Sequence, residues 1–437
     1  MAAPVAGFGS KFSMSKMAVY TSGNMIGTGT HQTLIALALG GCGNLLWANF
    51  LLAGLLVTLS AWPLVHLYEM FPSNECLHKA AIAGLGTSWG SLVSFVNGQL
   101  VTIELVFAVT MQVSFFGTCF AAFFKDTTGI VAKIASLGLL FVLWFMYRRS
   151  GALFTANVAY LLGVLELGTV GMLILSSPFG YVAGISLRPL GSLMDVSQTE
   201  LWKFPCGIHV AIFAYGGFPG MIQAGDLVAD PRKNLPLGIV WACFMTTWTY
   251  VLMSSSVLLV SEPKAIAGFE TAFDGLRGIL PDRLLAVISC TVLSSVANNV
   301  MENSLVVIEN LRSMLSDAGD GKFVLPNVGW FSADTATFGA VAVLTLFKND
   351  IGLGMLGDAI DFALILQFAI FAVLSIKNSG DDDTFIQRYL PSVLSLCANA
   401  CLGVWHTINA SALPIGVLVI LVMAPLLPSL SRGRKSD

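Results

Sequence analysis

Four acidic residues stand where acids are costly. Glu104, Glu166, Glu302 and Asp361 each lie deep in a long apolar run. A charged side chain facing lipid costs about 2.5–3.5 kcal/mol on insertion scales, so such groups face inward, are neutralised, or both. Helical spacing places them on polar stripes. Ser295, Asn299, Glu302 and Glu309 recur on one helix face, Ser94, Asn97 and Glu104 on another, and Asp358 and Asp361 stand three apart. An acidic lining draws in cations, which points to recognition of an ammonium group or exchange of a proton. The competing reading for each acid is a protonated carboxyl bonded to a neighbouring helix. Glu309 lies three residues before Arg312 and reads as a local ion pair. Bond-making chemistry has little support. There is no H-E-x-x-H, G-x-S-x-G or G-x-x-x-x-G-K, no metal-spaced His/Cys/carboxylate cluster and no sign of a cofactor.

Two further stretches break the rules of the helices that carry them. "SGNMIGTGTH", residues 22–31, places three glycines among Ser, Thr and Asn inside an apolar segment. Each glycine costs a helix interior about 1 kcal/mol relative to Ala. "GGFPG", residues 216–220, sets three glycines around a proline in the middle of a later apolar segment. Proline there removes a hydrogen bond and clashes with the preceding turn. Irregular backbone at membrane depth is tolerated only when buried in protein or lining a watery cavity. Glycine-interrupted segments in corresponding halves point to a carrier's solute site. Freed amides near Ile26 suit a carboxylate, and freed carbonyls of the later break suit an ammonium. Close helix packing through small residues is the simpler explanation for either stretch alone.

The segments themselves follow from composition. The chain has 437 residues, 56% hydrophobic and 11% charged, with a net charge of −3 and a mean hydropathy of +0.80. Soluble domains carry about 25% charged residues. In windows of about 20 residues, twelve apolar segments are predicted, near 17–38, 45–70, 88–116, 129–147, 153–177, 205–228, 236–260, 283–311, 329–347, 351–376, 387–406 and 409–429. The expectation is an all-α, multi-pass integral protein of a plasma or inner membrane, with the lipid bilayer as a partner. Lys and Arg cluster on one set of loops, including Lys11, Lys16, Arg148, Arg149, Arg232 and Lys233, which puts both termini in the cytoplasm. The charge balance leaves no case for nucleic acid. The polar N-terminus runs directly into the first segment with no cleavable leader, and the eight cysteines read as packing residues.

"SGNMIGTG" resembles the first-helix signature of the amino acid–polyamine–organocation superfamily, especially its basic amino acid/polyamine antiporters. "FAYGGFPGMIQAGDLVADPRKNLP" (213–236), "YEMFP" (68–72) and "DGKFVLP" (320–326) fall where that family has landmarks. The resemblance implies a five-plus-five inverted repeat with broken first and sixth helices and two trailing helices. The chain then divides into a cytoplasmic N-terminus at 1–16, repeats at 17–177 and 205–376, an external loop at 178–204, and a trailing region at 377–437. Pro219 stands where many members place Glu, and no Trp occupies the eighth segment. "NVAYLLGVLELG" (157–168) resembles a fifth-helix segment in which several relatives carry Lys where this chain has Glu166.

The expected solute site comprises Gly23, Met25, Ile26, Gly27, Thr28, Gly29, Glu104, Phe213, Tyr215, Gly216, Gly217, Glu302 and Asp361, with Glu166 as the coupling group. Phe213 and Tyr215 are expected to stack on the solute or to pack, and His31 and His209 read as structural histidines. The expected activity is secondary active transport of amino acids or related amines, with a cationic amino acid or polyamine favoured and antiport the expected mode. H⁺ or Na⁺ is the candidate coupling ion. A proton-coupled symporter of neutral amino acids and a non-transporting membrane sensor are the alternatives, and a homo-oligomer is left open.

Overall fold

The computed structural model describes residues 11–122, 124, 129–197, 199–200, 203–269, 279–315, 332–351, 353–379 and 390–409. The segment at 409–429, the motif at 320–326 and the tail beyond lie outside them. In chain order the α-helices are α1 (Met14–Leu39), α2 (Leu46–Met70), α3 (Cys76–Ala122), α4 (Ile130–Ile174), α5 (Ser176–Val182), α6 (Phe204–Phe213), α7 (Pro231–Val260), α8 (Pro263–Ile266), α9 (Asp282–Leu315), α10 (Ala333–Ile351), α11 (Leu353–Asn378) and α12 (Leu390–Asn409). Among the described residues there is no strand, and Phe12 and Val228 form an isolated parallel bridge.

Among the described residues, six stretches are long and apolar enough to cross a membrane: Gly43–Met70, Cys76–Ala121, Ile130–Ile174, Phe204–Ile222, Pro231–Val260 and Leu356–Asn378. Apolar side chains such as Phe141, Phe145, Trp241, Phe244 and Trp248 stand outward, as expected where lipid replaces water. The expected boundary between the segments at 129–147 and 153–177 is a single residue. Gly151 adopts φ 79°, ψ 174° inside α4, left-handed backbone that glycine adopts without steric cost. Gly86 makes the same turn in α3 at φ 77°.

Helices α1 and α9 are long and rich in polar residues. Their polar residues are buried: Thr21, Ser22, Asn24, His31 and Thr33 in α1, and Ser295, Asn298, Asn299, Glu302, Asn303 and Ser304 in α9. Both helices sit inside the bundle, where α1 packs on α7, α4 and α9, and α9 on α3 and α4. Hydroxyls in this apolar setting turn back on their own helices, as in Thr110 to the Val106 carbonyl at 2.8 Å and Thr247 to Cys243 at 2.7 Å. Between helices, amides do the joining. Asn310 donates to the Gly98 carbonyl at 2.8 Å, and Asn399 of α12 donates to Ser60 of α2 at 2.9 Å.

The two ends of the bundle are closed differently. At the end holding Leu39, Arg188 donates to the Leu258 carbonyl and to Asn44, each at 2.8 Å, and Trp47 donates to the Leu193 carbonyl at 3.0 Å. These bonds strap the segment before α6 over α2 and α7. At the other end, the Phe12 amide donates to the Leu227 carbonyl at 2.8 Å, and the Ala229 amide donates back to Phe12 at 2.9 Å. The Phe12 ring is fully buried and meets Tyr20 edge-on at 5.2 Å. Lys16 donates to Asn157 and lies over the Phe12 and Tyr160 rings at 4.5 and 5.0 Å. Phe12→Ala is therefore expected to cost about 3 kcal/mol, as loss of a buried ring does. The measurement is the thermal unfolding midpoint of the purified protein, which should fall clearly below that of the parent.

Candidate solute site

The site begins with two interruptions in helices. Expected unwinding across 22–31 does not occur: α1 keeps helical backbone from Met14 to Leu39 except at Gly27, where φ is −4° and ψ is −120°. One glycine absorbs the whole kink. The second interruption is wider. α6 stops at Phe213, Ala214 caps it, and Gly217 turns left-handed at φ 94° before a 3-10 stretch from Phe218 to Leu227. Proline at the start of that stretch needs no amide partner, so the sequence resumes helical turns there at no hydrogen-bond cost.

Helix ends and kinks leave carbonyls without intrahelical donors, and here side chains supply donors. Asn299 of α9 donates to the Gly23 and Asn24 carbonyls at 2.8 and 2.7 Å. The Tyr250 hydroxyl of α7 lies 2.6 Å from the Met25 carbonyl, 3.2 Å from Ile26 and 2.9 Å from Ala214. It thus touches both interruptions. Room for Asn299 exists only because residue 27 lacks a side chain. A Cβ on Gly27 would sit 1.1 Å from Asn299 Oδ1.

Where the interruptions meet there is a cavity of ≈ 30 Å³, lined by Asn24, Met25, Glu104, Leu105, Ala108, Gln112, Phe213, Gly216, Gly217, Asn299, Asn303 and Ile360. That is room for water, not for an amino acid. Its walls are unevenly satisfied. Glu104 accepts from Gln367 at 2.9 Å and from the Gly217 amide. Both amide atoms of Asn24 and Oδ1 of Asn303 are buried with no hydrogen-bond partner among the described residues. A buried polar group left unpaired costs about 1–3 kcal/mol, so these atoms call for water or a solute.

Of the expected site residues, the structure brings Met25, Glu104, Phe213, Gly216 and Gly217 to this cavity. Gly23 and Ile26 are fully packed beside it, Gly23 approaching Gly163 of α4 closely enough that a Cβ would lie 3.2 Å from its Cα. Thr28 and Gly29 continue the helix, and their surroundings lie outside the described residues. Tyr215 does not line the cavity. It is buried, donates to the Phe50 carbonyl at 2.8 Å and packs edge-on to Tyr250 at 5.2 Å.

The other two acids expected to hold solute sit elsewhere. Asp361 faces His209, with Oδ2 3.2 Å from Nε2. Glu302 is fully buried, and neither of its oxygens has a hydrogen-bonding partner of good geometry among the described residues. Its polar neighbours are Asn298, Glu166 and Tyr20. Glu166 accepts from Ser295 at 2.5 Å and from Asn298 at 3.4 Å, and one of its oxygens lies 3.9 Å from the position of a Cβ on Gly23. The two carboxyls therefore form a second polar centre among α1, α4 and α9. The expected ion pair of Glu309 and Arg312 is present at 2.8 Å. It lies against a second cavity of ≈ 190 Å³ that is also lined by Tyr20, Asp226 and Leu227.

Sequence reasoning missed Asn24, Gln112, Asn303, Gln367 and Tyr250. Asn24 had a signal, since it is the one amide inside the glycine-rich stretch. Tyr250 had none, because nothing in the pattern of α7 marks it apart from an ordinary packing residue.

No family model matches the chain. Its relatives are transporters. It is 24% identical over 343 residues to the inner membrane transport protein YbaT of Escherichia coli (strain K12), covering 77% of this chain and 76% of that protein. It is 21% identical over 411 residues to the methylthioribose transporter of Bacillus subtilis (strain 168), covering 88% and 86%. It is 22% identical over 227 residues to the b(0,+)-type amino acid transporter 1 of Mus musculus, covering 50% and 44%. The chain is thus similar over most of its length to two transporters and over half of it to an amino acid transporter.

Proposed function

We propose that this chain is a secondary active transporter of amino acids or related amines, with a cationic amino acid or polyamine as the favoured cargo and exchange as its mode. The observation that carries this reading is the cavity at the meeting point of two interrupted helices, with the unpaired Asn24 amide and the Glu104 carboxyl in its wall. In the proposed arrangement both termini are cytoplasmic, the helices up to α11 form two inverted repeats, and α12 and the segment after it trail behind. The cavity is too small for a solute, so this form is closed, and alternating access requires its walls to part. Phe12 with Leu227–Ala229 closes the cytoplasmic side, and Phe213 with the His209–Asp361 pair covers the external side.

Coupling belongs to Glu166. Its carboxyl lies among α1, α4 and α9, bonded to Ser295 and Asn298, where it can hold H⁺ or attract Na⁺. Glu302 beside it joins that centre rather than the solute cavity. A second reading, a proton-coupled symporter of neutral amino acids, gains support from one observation: of Glu104, Glu166, Glu302 and Asp361, Glu104 alone lines the cavity. Solute uptake by the purified protein in proteoliposomes separates both readings from a non-transporting sensor.

Three variants divide the roles. Glu104→Gln is expected to weaken L-lysine uptake about tenfold more than L-norleucine uptake, since a charge pair in a partly desolvated cavity is worth several times its value in water. Glu302→Gln should show no such discrimination, and equal losses for both solutes with Glu104→Gln would favour the neutral-substrate reading. Glu166→Gln should retain downhill exchange but lose its response to an imposed proton or sodium gradient, read as accumulation with and without each gradient. Gly27→Ala should displace Asn299 from the Gly23 and Asn24 carbonyls and abolish uptake while a folded protein is still recovered, as judged by size-exclusion chromatography.

A further inference from the structure

The Tyr250 hydroxyl is surrounded by three backbone carbonyls that belong to two different interruptions: Met25 and Ile26 beside the α1 kink, and Ala214 at the end of α6. A hydroxyl carries one proton and donates to one acceptor at a time. Three acceptors converging on one donor is a costly arrangement in a buried setting, and it persists only if the surroundings hold it. They do. The Tyr250 ring packs on Phe50 at 4.9 Å and on Tyr215 at 5.2 Å, and Tyr215 is pinned in turn to the Phe50 carbonyl. The whole residue is buried. Asn299, by comparison, reaches the Gly23 and Asn24 carbonyls on the α1 side.

We propose that Tyr250 is a positioning residue, a strut whose hydroxyl locks the two interrupted segments to each other so that they open and close as one body. The proton can pass from one carbonyl to another by small rotations of the hydroxyl, so the strut tolerates slight shifts of either segment without letting go of both. The inference deepens the carrier reading, because the strut sets the shape of the solute cavity. Its test needs no solute, so the two can fail separately.

The test is backbone hydrogen exchange of the full chain in lipid nanodiscs, followed by mass spectrometry of peptides covering 24–30 and 214–220. In Tyr250→Phe the ring and its packing remain and the hydroxyl is lost. Both peptides should exchange about tenfold faster, in step, as expected when buried carbonyls lose a shared donor. Thr110→Val removes a buried hydroxyl that bonds back to the Val106 carbonyl of α3, away from both interruptions, and should leave both peptides at the rate of the parent. Acceleration of one peptide alone, or equal acceleration in both variants, would overturn the proposal. Should Tyr250→Phe fail to fold, the parent protein supplies the same answer across a temperature series. A strut requires the two segments to share one opening free energy, and diverging temperature dependences would refute it.

Discussion

A carbonyl freed from its helix deep in an apolar bundle has no water to turn to, and the centre of this molecule is organised around that constraint. The kink at Gly27 and the end of α6 release carbonyls from Gly23, Asn24, Met25, Ile26 and Ala214, and the donors come from α7 and α9. This explains why α9 carries so many buried amides. It also explains why α1 and α9 keep polar side chains while lying inside the bundle. Their polarity serves one another, and the outer helices provide the apolar face.

The same constraint decides which acids gather where. Glu104 is drawn to the second interruption because Gln367 and the Gly217 amide supply donors there. Glu166 finds Ser295 and Asn298, and Asp361 finds His209. Glu104 and Glu166 thus take donors from other helices, and Asp361 stands beside a histidine of α6. The result is three separate polar centres where a single acidic lining was the simplest expectation.

That outcome marks the boundary of what the residues alone disclose. The all-helical, apolar character, the two glycine-rich interruptions, the turn between residues 147 and 153 and the Glu309–Arg312 pair were legible, because each depends on neighbours close in the chain. Asn24 was within reach for the same reason. The partners of Asp361 and Glu302 were not, since they depend on how helices far apart in sequence are rotated against one another. A stripe on a helix says which residues share a face and leaves open which neighbour that face meets. Unwinding was overestimated for a related reason: three glycines lower helix propensity across ten residues, yet packing against α4, α7 and α9 holds the helix and leaves Gly27 to take the kink.

The bridge between Phe12 and Val228 and the contact between Met25 and Tyr250 join residues more than two hundred positions apart. A ribosome delivers the early partner of each pair long before the late one. While α2 to α6 are being made, the first helix waits with a kinked backbone whose carbonyls have no donor and an aromatic anchor with nowhere to dock. Contacts of such long sequence separation form late and slowly. Helix α1 is therefore among the last to reach its final state during biogenesis, and a nascent chain cut short before α7 would carry its future centre unfinished.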